Sequence, residues 1–192
     1  MPDAPVIRHL DQCLSRLAVQ PAFCRKLEFA TDTHGSENWM RTEIAYEVSR
    51  ALYDGVDGAK FWSFPERFRR TDIPIVEKGK KGAAALVELK VLYNYRSQGL
   101  SNRRKLESDR QKLMEQPAKH RVLLAALVFM KYAKHRSWPY LKTLADMDAF
   151  MEHALRDLPE AVQGSCKSYD TEVKPWASYR PTFAVRICRL IV

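Results

Sequence analysis

The chain has little that would tie it to a membrane, a zinc cluster or an oxidising compartment. No apolar run approaches the ~20 residues that a helix needs to cross a bilayer, and the longest strongly apolar stretch is Val122 to Met130. The opening residues, Met1 to Arg8, lack a basic segment followed by an apolar one, so no signal peptide is expected. Reduced thiols in the cytoplasm follow from that reading. The four cysteines, Cys13, Cys24, Cys166 and Cys188, form no C-x-x-C pair, and the five histidines have no zinc-ligand spacing. There is no Gly/Ser-rich or Pro-rich linker, no internal repeat and no low-complexity tract. One domain over residues 1–192 is therefore expected, with an N-terminal helical extension (1–35), a core (36–130) and a C-terminal helix and strands (131–192). Acidic residues are the minority: 32 Lys plus Arg against 23 Asp plus Glu leave a net charge of +9. That balance favours a polyanionic partner, with nucleic acid as the leading class.

The chain does carry clear periodicities. Val6, Ile7, Leu10, Cys13, Leu14 and Leu17 recur at helical spacing, and a shorter helical segment fits 22–29. A second long helix is predicted from Ser36 as N-cap to Asp54-Gly55, with Met40, Ile44, Val48, Ala51 and Leu52 on its apolar face. Residues 70–76 and 84–92 read as two strands joined by Glu77-Lys78-Gly79-Lys80-Lys81-Gly82, whose Gly and charge content suits a hairpin loop. Residues 93–105 read as a polar, basic loop and 106–116 as a helix stopped by Pro117. Arg121 to Met130 reads as a buried strand, 138–158 as a helix, and 169–174 and 182–191 as two closing strands. The order implies an α/β fold on a mixed central sheet flanked by helices. In it the first two strands are antiparallel neighbours, and a helical crossover makes the Val122 strand parallel to the second.

The most informative feature is Asp72 on one of those strands and Glu88-Leu89-Lys90 on the next. Strand side chains alternate between faces, so Glu88 and Lys90 project from the same one. Folding the hairpin can bring Asp72 beside Glu88. Two carboxylates and an ammonium on one sheet face are costly unless used, and binding a divalent metal next to a scissile phosphate is such a use. Basic groups in Arg67-Phe68-Arg69-Arg70, Lys78, Lys80, Lys81, Arg103, Arg104 and Lys105 can neutralise a nucleic-acid backbone. The competing reading is a surface ion pair, since an E-x-K triplet arises about once by chance in a chain of this length. The apolar neighbours Val87, Leu89 and Val91 argue for a central strand, where idle charges are rare.

Thr42-Glu43-Ile44, Arg70-Thr71-Asp72-Ile73, Val87-Glu88-Leu89-Lys90 and Asp109-Arg110-Gln111-Lys112-Leu113 fall in an order that resembles the PD-(D/E)XK superfamily of restriction-endonuclease-like nucleases. The resemblance covers about Ser36 to Met130. It implies a metal-dependent phosphodiesterase, a DNA endonuclease first, with Mg²⁺ (or Mn²⁺ as substitute). Asp72 and Glu88 would be metal ligands, Lys90 would lie beside the attacking water, and Glu43 would add a carboxylate from the helix, ahead of Glu47. Lys112 would lie near the site and contact nucleic acid. A homodimer is compatible with double-strand cleavage by so small a domain. One departure is Thr71 in place of proline before Asp72. Two alternatives stay open: a non-catalytic nucleic-acid-binding or assembly module that kept the nuclease fold, and an RNA-cleaving member. Ordinary pairings are also open, Glu47 with Arg50 and Asp109 with Lys112, each three residues apart on a helix.

Overall fold

A computed structural model describes residues 4–23, 26, 36–63, 71–93, 99–131, 144–173 and 182–192. The elements are α1 (Pro5–Val19), α2 (Ser36–Tyr53), β1 (Phe61–Ser63), β2 (Ile73–Glu77), β3 (Ala83–Tyr93), α3 (Gly99–Met114), β4 (His120–Lys131), α4 (Leu144–Leu155), the short α5 (Glu160–Gln163), β5 (Lys167–Val173) and β6 (Thr182–Ile191). The six strands form one mixed sheet in the order β1-β2-β3-β4-β6-β5. All neighbours are antiparallel except β3 and β4, which α3 connects. The chain is thus mixed α/β, with the first hairpin antiparallel and the crossover pair parallel, as the sequence order implies.

Alternation along β3 divides the core. Val87, Leu89 and Val91 pack with Leu10, Leu14, Met40 and Ile44 of α1 and α2 on one face. Leu86 and Leu92 pack with Leu106 and Leu113 of α3 and Phe150 and Leu155 of α4 on the other. Glu88 and Lys90, being even-numbered on the same strand, belong to the α3 face. The short strand β1 was not foreseen from sequence. A serine relay holds it: Ser63 N–H donates to Ser49 Oγ (2.7 Å), Ser49 Oγ donates to Ser63 O (2.8 Å), and Ser63 Oγ donates to Pro74 O (2.7 Å).

Several sequence expectations need adjustment. The first hairpin strand begins at Ile73, so Asp72 stands one residue ahead of it. Helix α3 begins at Gly99, seven residues before the predicted Leu106, so Arg103, Arg104 and Lys105 are helical instead of lying in a loop. Their charge suggested a loop, yet Arg, Lys and Leu are good helix formers, and Leu106 and Leu113 anchor the segment two turns apart. The predicted 138–158 helix is seen as Leu144–Leu155, and 138–143 lies outside the described residues. So do Arg67, Arg69 and Arg70, residues 94–98 of the expected loop, and most of the expected 22–29 helix.

An ion-pair cluster ties α1 to the far edge of the sheet. Arg189, 4% exposed, donates from Nε to Asp11 Oδ1 (3.0 Å) and from Nη1 to Ser165 O (3.0 Å), and Lys167 Nζ reaches Asp11 Oδ2 (3.0 Å). Burial alone would raise the Asp11 carboxyl, but Tyr169, Arg189 and Lys167 outweigh it and hold Asp11 below the usual carboxylate range. Removing one partner leaves the other charge buried. Arg189→Met is therefore expected to cost about 3 kcal/mol in urea unfolding. Adding Asp11→Leu should recover part of that loss; an unchanged midpoint in the single variant would show that the cluster is not structural.

Candidate functional site

The site forms where β3 outruns its partner. The register of β2 and β3 starts at Ile73–Val87, which sets Asp72 opposite Glu88. Beyond that point two ladder donors of β3 are taken by side-chain carboxylates. Leu89 N–H donates to Asp72 Oδ2 (3.0 Å), and Val91 N–H donates to Glu37 Oε2 (3.3 Å). A buried N–H without an acceptor is costly, so these two bonds fix both carboxylates against the strand.

Each charged group then has a second partner. Arg41, one turn beyond Glu37 on α2, lies 2.7 Å from Asp72 Oδ1, with both side chains about 15% exposed. Lys90 Nζ lies 3.0 Å from Glu37 Oε2 and 3.1 Å from its Oε1. On α3, Lys112 Nζ is 2.7 Å from Asp109 Oδ1, and Asp109 is only 6% exposed. The hydrogen bond to Asp109, with the nearby charges of Asp109, Glu88 and Asp72, holds the Lys112 ammonium above its ordinary value against its slight burial.

Glu88 has no ion-pair partner among the described residues. Burial first, then the charges of Asp72 and Asp109, push its carboxyl up to about 8. A backbone hydrogen bond from Asp72 and the Lys112 charge oppose this and do not cancel it. Three carboxylates thus act on one another across β2, β3 and α3, with one of them poised to be protonated near neutral pH.

The remaining expected residues lie elsewhere. Glu43 does not join the carboxylates: it faces away on α2 and takes Lys26 Nζ at 2.9 Å. Glu47 is buried against Arg16 (2.7 Å) and Arg50 (3.3 Å). Two residues along a helix is a rotation of about 200°, so a helix that presents Arg41 to Asp72 turns Glu43 to the opposite side. The helix carboxylate at the site is Glu37. Its sequence signal was only its place in the first turn of α2, one turn ahead of Arg41. Lys78, Lys80 and Lys81 sit exposed in the hairpin turn, and Arg104 is exposed on α3. Arg103 is 13% exposed on its side chain and pairs with Asp157 at 3.2 Å, which engages it structurally. Arg70 lies outside the described residues.

Among the described residues no group of three or more His, Cys, Asp or Glu side chains is arranged to hold a metal ion. The donor chemistry nevertheless suits one. Mg²⁺ keeps several waters and is commonly held by one or two carboxylates. Asp72 and Glu88 supply hard oxygen donors, and the raised Glu88 proton marks a place where added positive charge would be favourable. No family model, no curated protein and no solved structure matches this chain.

Proposed function

We propose that the chain is a metal-dependent nuclease of the PD-(D/E)XK type that hydrolyses phosphodiester bonds, in DNA first, with Mg²⁺ or Mn²⁺. The observation that carries this reading is the convergence of Asp72 and Glu88 at the mouth of the β2–β3 hairpin. It comes with Lys90 on the same strand face as Glu88 and a Glu88 carboxyl raised by burial and by the charges of Asp72 and Asp109. The mixed sheet flanked by helices agrees with the fold that the reading requires.

In this reading Asp72 and Glu88 hold the metal. When bound, the ion supplies Lewis acidity that lowers the pKa of a water and offsets phosphate charge. The protein's own groups do the positioning. Leu89 N–H and Arg41 fix the two oxygens of Asp72, and Glu37 fixes the Lys90 ammonium. Lys90 donates to the phosphate oxygen on which negative charge grows as water oxygen bonds to phosphorus and the leaving oxygen departs. Glu37 is a positioning residue acting through Lys90. The exposed Lys78, Lys80, Lys81 and Arg104, with Lys112, supply backbone attraction without sequence reading.

One observation favours the second reading, a non-catalytic nucleic-acid-binding or assembly module: Arg41 already neutralises Asp72 at 2.7 Å. The experiment that separates them incubates the protein with supercoiled plasmid, single-stranded DNA and RNA in Mg²⁺, Mn²⁺ or EDTA. Metal-dependent cutting of DNA is expected. Cutting of RNA alone would keep the chemistry and move the substrate. Salt-sensitive binding without cutting in either metal would replace the nuclease with the module.

A further inference from the structure

A basic hollow lies at the opposite end of β3 from the carboxylates. It measures about 300 Å³ and is lined by Lys60, Lys80, Lys81, Lys119, His120 and Glu77, with the first turn of α1 on one side. The backbone that carries these groups is tied down. Lys78 N–H donates to Lys60 O (2.7 Å), Lys80 N–H donates to Glu77 O (3.0 Å), and positive φ at Gly79 (78°) and Gly82 (84°) closes the hairpin turn. The sequence showed the turn lysines but gave no reason to join them to Lys60, Lys119 or His120, which come from two other segments.

Three features of the hollow point to an anion. Four exposed lysines and one glutamate line it, and none of the four lysines has an ion-pair partner among the described residues. The 15-residue helix α1 begins here at Pro5 with no side-chain cap and no acidic residue in its first turn. Pro5 has no N–H and Ile7 N–H turns back to Ala4 O (2.9 Å), so this end offers Val6 N–H and the partial positive charge of the helix, with exposed lysines and no first-turn acid beside it. Burial and then the Lys119 charge hold the His120 imidazole below its ordinary value, which fits a positive local field.

The hollow is not a continuation of the carboxylate site. Ala84 on its wall is four residues from Glu88, ~13 Å along the strand. Phe61 and Ala84 belong with the α1–α2 face of the sheet, and Glu88 projects from the α3 face. A volume of about 300 Å³ is at the small end of ligand sites. It suits a phosphate group and a short extension, not a whole duplex.

We propose that the hollow formed by Lys60, Lys80, Lys81, Lys119 and the α1 N-terminus is a phosphate-binding site separate from the Asp72–Glu88 carboxylates. The phosphate belongs either to a small oligophosphate ligand or to a nucleic-acid strand. The test uses sodium tripolyphosphate and a short single-stranded DNA as probes in calorimetry at low ionic strength. The proteins are wild type, Lys60→Ala/Lys119→Ala, Lys80→Ala/Lys81→Ala and Glu88→Ala, each checked for folding by thermal melting. Saturable tripolyphosphate binding is expected in wild type and Glu88→Ala, weakened about tenfold or more in both lysine pairs. If tripolyphosphate displaces the DNA strand, and both lysine pairs weaken the strand's binding, the natural phosphate is that of a strand; if strand binding is unaffected by either, it belongs to a small ligand. Absence of saturable binding, or equal binding in the folded lysine variants, overturns the proposal. The nuclease reading is tested separately, because loss of cleavage in Glu88→Ala leaves this binding intact.

Discussion

Glu88→Gln is expected to make the metal-free protein more stable at about pH 8 while abolishing the proposed cleavage. An unfolded chain leaves the carboxyl near 4.5, and in the fold burial and the charges of Asp72 and Asp109 push it up to about 8. Below the lower value both states are protonated and the fold has its full stability. Between the two the unfolded chain gives up a proton that the folded one retains, so stability falls as pH rises. At ~1.4 kcal/mol per unit, reduced for the solvent that reaches this partly buried side chain, the loss by about pH 8 is roughly 3 kcal/mol. A neutral glutamine has no charge to desolvate, so the variant's melting temperature should exceed that of wild type by roughly 5–10 °C at the alkaline end and match it near pH 4.5. Added Mg²⁺ should raise the wild-type melting temperature in the same alkaline range and leave the variant unmoved. Parallel pH profiles for the two proteins would mean that Glu88 is already charged in the fold.

Lys90→Ala should have the opposite pattern, a large loss of activity with little change in stability. The ammonium is 22% exposed and its partner Glu37 is 41% exposed, so the pair contributes at most about 1 kcal/mol to folding. Removing a donor aimed at developing transition-state charge costs about 10²–10³-fold in turnover. Glu37→Gln keeps the chain's shape but loosens the ammonium, and a smaller loss of turnover that disappears in the Lys90→Ala background would mark Glu37 as acting through Lys90. If Lys90→Ala cuts at the wild-type rate, the nuclease assignment cannot stand.

What the sequence revealed and what it hid follow from range. The hairpin was legible because alternation and turn chemistry are local: Val87, Leu89 and Val91 set one face, and Gly79 and Gly82 punctuate the return. The parallel pairing of β3 with β4 was legible because only a crossover can join them. The helix carboxylate was harder, since α2 shows three acids on one side of Met40 or the other, and only packing against β3 decides which turn faces the strand. That packing places Glu37 and Arg41 at β3 and turns Glu43 to Lys26. Strand β1 stayed hidden because three residues carry no period of their own and are held by a serine relay from α2 and β2. The early start of α3 stayed hidden because its basic residues resemble a solvated loop until Leu106 and Leu113 are seen against the sheet.

The carboxylates that seal the outer half of β3 also act as guards against sheet extension. A strand that runs past its neighbour offers open donors to any other chain, and proteins blunt such edges with inward-pointing charge. Here the guards are Asp72 and Glu37, whose oxygens occupy the Leu89 and Val91 N–H groups. The same atoms that would serve the chemistry therefore leave neither N–H group open to a strand of another copy. An alanine at either position removes both duties together, whereas Asn or Gln retains an oxygen to cover the edge and alters only the charge.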